Sequence, residues 1–136
     1  MGSENLAYAL IQVVHNLGAV AVVGGALSAL WPRSRLEYAR SYGWLLLAGW
    51  GTQIASGLAF GLTSLYYYGE TPDLSPVALT ALVVKIATAA GGFLLAAFYL
   101  ARGGAWSPAG ARRSFLALAA LGIVALTAAA FLRWFA

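Results

Sequence analysis

Residues 76–101 read PVALTALVVKIATAAGGFLLAAFYLA, and Lys85 is the only charged side chain in this run. About 20 apolar residues in a helix cross the hydrocarbon layer of a bilayer, which is about 30 Å thick. Alanine and leucine dominate the run and are strong helix formers, whereas a membrane barrel would show short segments that alternate apolar and polar residues. The segment therefore predicts a transmembrane helix.

Three further segments have the same character, so the predicted spans are residues 6–30, 42–65, 76–101 and 115–132. The 136-residue chain is 62% hydrophobic and 9% charged, whereas a soluble domain averages about 45–50% apolar and about 25% charged residues. This composition excludes a soluble enzyme, and the lack of cysteine excludes an iron–sulfur cluster or a thiolate zinc site. We expect an all-α fold, a single integral membrane domain over 1–136 that forms a four-transmembrane-helix bundle.

The charges between the spans predict how the bundle is oriented. The first and third connections between the spans are basic. Their arginines are Arg33, Arg35, Arg40, Arg102, Arg112 and Arg113. The middle connection has only the acids Glu70 and Asp73, while Glu37 lies in the first basic one. Lysine and arginine collect in short cytoplasmic loops. We therefore expect both termini on the outer, periplasmic side of a bacterial inner membrane.

Two ionisable side chains, His15 and Lys85, lie inside the predicted spans. A charged side chain at the centre of a spanning helix costs at least about 2.5–3.5 kcal/mol, so such residues are functional candidates. At the helical rise, His15 and Lys85 lie about 13–14 Å from the outer surface and Gln53 about 18 Å, which places all three in one layer. Three polar neighbours extend this predicted cofactor-binding layer: Gln12, Ser56 and Thr88. Gln12 precedes His15 by three residues, which predicts a shared helical face.

The sequence leaves four roles open for His15. The first is a neutral histidine hydrogen-bonded to Gln53 or to a backbone carbonyl, and the second is an axial ligand of a haem iron. A copper ligand is a third role, although copper sites in membranes favour cysteine, methionine or several histidines, and this chain has one histidine, one methionine and no cysteine. A catalytic base is the fourth.

Lys85 has no acidic residue at its own depth in any predicted span. One alternative is a reach outward to the Glu70–Asp73 connection, although about 14 Å exceeds what one lysine side chain usually spans. The others are an uncharged amine, because desolvation disfavours the charged form, or a pair with a carboxylate from outside the chain. That carboxylate would belong to a haem propionate, a substrate acid or a neighbouring subunit.

Small residues recur at helical spacing along three of the spans, which predicts close helix packing or room for a flat prosthetic group. They are Gly18, Ala21 and Gly25 in the first span, Gly57 and Gly61 in the second, and Ala81, Ala89 and Gly92 in the third. A compact bundle follows in either case.

Three short motifs carry a resemblance to known families. They are His15-Asn16-Leu17-Gly18 followed by Gly24-Gly25, Ser56-Gly57-Leu58, and Val84-Lys85-Ile86. In these the chain resembles the copper-resistance D family. The histidine in span one and the lysine in span three are also similar to the four-helix protoporphyrinogen oxidase family. The second resemblance implies haem b bound at His15 and Lys85, and the first implies copper handling.

Three functional hypotheses follow for this chain. The first is a haem-b-binding subunit for electron transport, in which His15 ligates the metal and Lys85 neutralises a propionate. The second is a copper-resistance-type transporter, and the third is a non-catalytic accessory subunit of a larger membrane complex. The predicted partners are the lipid bilayer, a second copy in a homodimer or other membrane subunits, but no nucleic acid. No nucleophile–base pair or phosphate loop is visible, so any reaction chemistry would be the cofactor's.

Overall fold

The computed structural model describes residues 2–31 and 38–136, and within these ranges it contains helices and no strand. The helices are α1 (Ser3–Ala29), α2 (Ala39–Tyr68), α3 (Pro76–Arg102) and α4 (Pro108–Phe135), with a short 3-10 turn at Gly103–Ala105. All four are long and apolar enough to cross a membrane. The predicted all-helical fold is therefore confirmed for the described residues, with four helices capable of spanning a membrane.

Helix α4 starts at Pro108, seven residues before the predicted start of the fourth span. Ser107 caps this end, because its Oγ accepts a hydrogen bond from the Gly110 N–H at 3.1 Å, and proline suits the first helical position. Arg112 and Arg113 consequently lie in the first turns of α4 and not in the connection that precedes it. The predicted span began after these two arginines and therefore missed the capping serine and the proline that precede them.

The helices alternate in direction around the bundle. Helix α1 packs mainly against α2 and α4, and so does α3, which leaves α1 and α3 on opposite corners. At one end the Ser75 Oγ donates to the Phe135 carbonyl at 2.5 Å, which ties the start of α3 to the last turn of α4. The connection with Glu70 and Asp73 belongs to the same end, called here the acidic end.

Arginines gather at the opposite, basic end. Arg112 donates to the carbonyl of Leu30 at 3.4 Å, and Arg40 donates to that of Leu100 at 3.3 Å. Both guanidinium groups meet carbonyls at the C-terminal turn of another helix, where the helix dipole favours positive charge. The predicted basic residues of the first connection lie partly outside the described residues: Arg33 and Arg35, together with Glu37.

The apolar core fills the basic half of the bundle, and its buried members are Val22, Ala26, Leu46, Trp50, Ala96, Tyr99, Ala111, Phe115, Leu118 and Ala119. Trp50 is its largest fully buried side chain and is 1% exposed. The indole lies directly against Gly92, where a Cβ atom would be 2.2 Å from Trp50 Cε2. The absence of a side chain at Gly92 is therefore what lets α2 and α3 approach each other here.

Two of the predicted small-residue sets differ in whether their glycines pack against a neighbouring helix. A Cβ atom at Gly25 of α1 would lie 3.0 Å from Leu45 Cδ2, so this glycine does permit close packing against α2. In contrast, a Cβ atom at Gly57 or at Gly61 would have no heavy atom within 4 Å. The predicted tight packing at the Gly57–Gly61 pair is thus not found within the described chain, because that face of α2 points away from its neighbours.

Replacing both Gly57 and Gly61 by alanine should leave the stability of the bundle unchanged or raise it. Each alanine meets open space, and alanine is favoured over glycine inside a helix by about 0.5–1 kcal/mol. The measurement is denaturant unfolding of the purified chain in detergent micelles, with Gly25→Ala as the crowded comparison that should unfold earlier. A clear loss of stability in the double variant would contradict this assignment of the α2 face.

Candidate intramembrane site

Three helices bring polar side chains together in the interior of the bundle. His15 of α1 is buried, and its ring Nδ1 lies 2.7 Å from the Oγ of Ser56 on α2. Its other ring nitrogen, Nε2, lies 3.1 Å from the Nζ of Lys85 on α3. Together with Gln53, these residues are called the His–Lys cluster. Lys85 reaches His15 across the diagonal of the bundle, which makes this contact the polar link between α1 and α3.

The hydrogen bonds around Ser56 define the state of the imidazole. The hydroxyl of Ser56 has one proton, which it donates to the carbonyl of Thr52 one turn earlier at 2.5 Å. It therefore accepts from His15, whose Nδ1 must be protonated. With Nδ1 protonated, a neutral ring has its lone pair on Nε2, which then accepts an N–H of the Lys85 amine. The cluster thus holds a neutral imidazole with a fixed tautomer and orientation.

Gln53 acts on the backbone of His15 and not on its ring. Its Nε2 donates to the His15 carbonyl oxygen at 2.6 Å. Gly18 makes this approach possible, because a Cβ atom there would lie 2.8 Å from that same Gln53 nitrogen. Gln53 and a backbone carbonyl were the two partners expected for the His15 side chain. In the structure Gln53 binds the main chain of His15, while the imidazole ring binds Ser56.

An aromatic side chain that the sequence did not single out closes the site toward the acidic end. The ring of Phe60 meets the His15 ring edge-on, with centroids 5.7 Å apart and planes at 74°. Tyr8 stacks on Phe60, with ring centroids 6.2 Å apart. An aromatic residue in an apolar span has no distinguishing sequence signal, so only the folded geometry reveals this contact.

Two of the candidate site residues lie apart from the His–Lys cluster. The Thr88 hydroxyl is buried but donates within its own helix, to the carbonyls of Val84 and Lys85 at 3.0 and 2.9 Å. Gln12 is exposed on the outside of α1 and donates to the Asn16 side chain at 2.7 Å. A helix turns by about 100° per residue, which places Gln12 closer in angle to Asn16 than to His15.

Lys85 has no acidic partner in the part of the chain that the structure describes, where its side-chain contact is His15. The described acids lie in the first turn of α1 or between α2 and α3: Glu4, Glu70 and Asp73. Residues 2–31 and 38–136 also contain no group of three His, Cys, Asp or Glu side chains placed to hold a metal ion. The site therefore offers one lone-pair nitrogen and one amine whose remaining N–H groups are available to an acceptor.

Comparison with protein-family models, with curated proteins and with solved structures finds no match to this chain. What the chain does must accordingly be argued from the cluster itself. An oriented imidazole nitrogen binds a metal centre or a proton, and an amine beside it binds a carboxylate or another anion. These two capacities within 3.1 Å of each other are the chemistry that a function has to use.

Proposed function

We propose that the chain is a small multi-pass inner-membrane protein that binds haem b at the His–Lys cluster and serves as a redox-associated subunit. The observation that supports this most directly is the hydrogen bond from His15 Nδ1 to Ser56 Oγ. Histidines that bind metals regularly donate their second ring N–H to a fixed acceptor, which orients the ring and makes it a better donor. Ser56 supplies that acceptor inside the bundle.

His15 and Lys85 are the two side chains that would hold the haem, the first through its ring nitrogen and the second through its amine. The lone pair of His15 Nε2 would be the coordinating group, and in this structure it accepts an N–H of Lys85 at 3.1 Å. Binding would require Lys85 to turn away, and a propionate gives its amine a charged partner that the described chain lacks. When bound, the haem would supply one-electron transfer between ferric and ferrous states.

The orientation of the bundle is part of the same proposal. The arginines at the basic end, among them Arg40 and Arg112, favour the cytoplasmic side under the positive-inside tendency. The acidic end and both termini would then face the periplasm. His15 would lie nearer to that outer face, on the side where the Glu70–Asp73 connection crosses the bundle.

The proposal predicts a colour. The detergent-purified chain, expressed with adequate haem supply or titrated with hemin, should show a Soret band that His15→Ala abolishes. Thr88→Val is the matched control, since it removes a buried hydroxyl that bonds only within its own helix, and it should keep the band. A chain that stays colourless with added hemin, or a His15→Ala variant with an unchanged spectrum, would refute haem ligation by His15.

A non-catalytic accessory subunit is the second candidate, and the lack of an acidic partner for Lys85 among the described residues favours it. A partner membrane subunit would then supply the carboxylate, and the chain would co-purify with that subunit without haem. A copper-resistance-type transporter gains less support, because the described residues gather one imidazole and no further metal-binding side chain around it.

A further inference from the structure

The outside of α1 has a polar face at the depth where lipid tails surround the bundle. Four exposed residues line up on it at helical spacing, and three of them end in carboxamides: Asn5, Ala9, Gln12 and Asn16. This set is called the amide face. At about 100° per residue, the four Cα positions fall within an arc of about 60°. Asn16 is the middle residue of α1, so it lies near the centre of the span.

The amide groups of Gln12 and Asn16 satisfy each other only in part. Gln12 Nε2 donates to Asn16 Oδ1 at 2.7 Å, whereas Gln12 Oε1 and Asn16 Nδ2 make no hydrogen bond with the described residues. One acceptor and one donor are thus left on the membrane-facing surface. Hydrocarbon offers them no partner, and an unmade hydrogen bond of this kind costs on the order of 1–3 kcal/mol or more.

Two exposed threonines on the outer surface differ from these carboxamides, because their hydroxyls are hydrogen-bonded within their own helices. The exposed Thr80 and Thr127 each donate to the carbonyl four residues earlier in their own helix, at 2.8 and 2.9 Å. Threonine can satisfy its single proton this way, but a carboxamide has too many polar atoms to do so. The amide face, in contrast, needs a partner from outside the described chain to complete its hydrogen bonds.

We infer that the amide face is the contact surface for a second copy of this chain in a parallel two-fold dimer. A two-fold axis along the membrane normal brings equal depths of the two α1 helices together, so each surface must complement itself. The free groups meet this requirement, since Asn16 Nδ2 of one copy can donate to Gln12 Oε1 of the partner and the reverse. The small side chain of Ala9, one turn away, lets the two helices approach closely.

In this dimer each His–Lys cluster lies inside its own bundle, away from the α1–α1 interface. His15 precedes Asn16 by one residue and points about 100° away from the amide face, into its own bundle. Each copy therefore keeps its own imidazole, and no histidine is shared across the interface. The inference is independent of haem binding, and it holds or fails without reference to a cofactor.

Cysteine cross-linking in vesicles tests the interface, and the chain has no cysteine of its own. Ala9→Cys should give a disulfide-linked dimer under mild oxidation, while Val83→Cys, on the exposed side of α3, should remain monomeric. Adding Gln12→Leu and Asn16→Leu to Ala9→Cys should weaken dimerisation about tenfold, since interhelical polar contacts contribute about 1–2 kcal/mol in model helices. Adding Thr127→Val instead should change nothing.

The outcomes that overturn the inference are distinct from one another. Equal cross-linking of the Ala9→Cys chain with and without the leucines would show that the carboxamides do not hold the copies together. A chain that stays monomeric while its amide face lies against lipid would reject the dimer outright. Cross-linking of Ala9→Cys to a different membrane protein in native membranes, with no homodimer formed, would assign the face to that partner.

Discussion

The variant Gly92→Ala should lose about 3 kcal/mol of unfolding free energy, one of the two largest effects expected for this chain. The added Cβ would lie 2.2 Å from Trp50 Cε2 and 2.6 Å from two further indole atoms. Trp50 is fully buried and cannot swing aside, so α2 and α3 must separate. Overpacking of this kind typically costs about 1–3 kcal/mol, and a contact with rigid ring atoms belongs at the upper end.

Gly91 provides a matched control on the same helix. A Cβ there would have its nearest neighbour, Leu121 Cδ1, at 4.0 Å, which is ordinary contact. Gly91→Ala makes the same chemical change and should be neutral in denaturant unfolding in detergent. Combining Gly92→Ala with Trp50→Leu should recover part of the loss, because the smaller side chain gives the methyl group room. Equal stabilities for the Gly91 and Gly92 variants would show that the indole is not held at this place.

His15→Leu should destabilise the bundle by about 1–3 kcal/mol, the range seen when buried hydrogen-bonding groups are left without their partner. Leucine fills much of the ring volume, so the loss reports the hydrogen bonds more than a cavity. The Lys85 amine is left without its side-chain partner, and the Ser56 hydroxyl loses the N–H that it accepts. Adding Lys85→Met should restore much of the stability, because the uncompensated amine is then gone.

The double-variant cycle separates the contact from general damage to the fold. His15→Leu and Lys85→Met should be strongly non-additive, as expected of residues in direct contact. Thr88→Val paired with His15→Leu should be additive, since the Thr88 hydroxyl bonds only within α3. Additive effects of the His15 and Lys85 variants would mean that the two side chains do not interact in the membrane.

The relative level of residues on different helices was easier to predict from the sequence than rotation about the helix axis. The rise per residue is constant, so the sequence placed His15, Gln53 and Lys85 at one level, and in the structure Gln53 and Lys85 both contact His15. The sequence pairs Gln12 with His15, whereas in the structure Gln12 donates to Asn16, which is its other neighbour on the helix. Which of the two it joins depends on how α1 packs against α2, and no local signal encodes that.

The small residues illustrate the same division. Gly25 and Gly92 are used in packing, and Gly57 and Gly61 are not, although the second pair has the better-known spacing. A spacing motif shows that two helices can approach, but the choice among several such stripes is made by the whole bundle. The direct contact between Lys85 and His15 was missed for a related reason, since it depends on the diagonal arrangement of α1 and α3.

The origin of the cluster on three successive helices has a consequence for biosynthesis. Ribosomes deliver α1 and α2 to the membrane before α3, so His15, Gln53 and Ser56 can form their hydrogen bonds as a hairpin. The helix that brings Lys85 then enters a bilayer in which an oriented imidazole nitrogen already exists. Inserting a lysine into a span that is surrounded by lipid alone costs free energy. Here the hairpin of α1 and α2 already presents the imidazole nitrogen that the lysine amine binds.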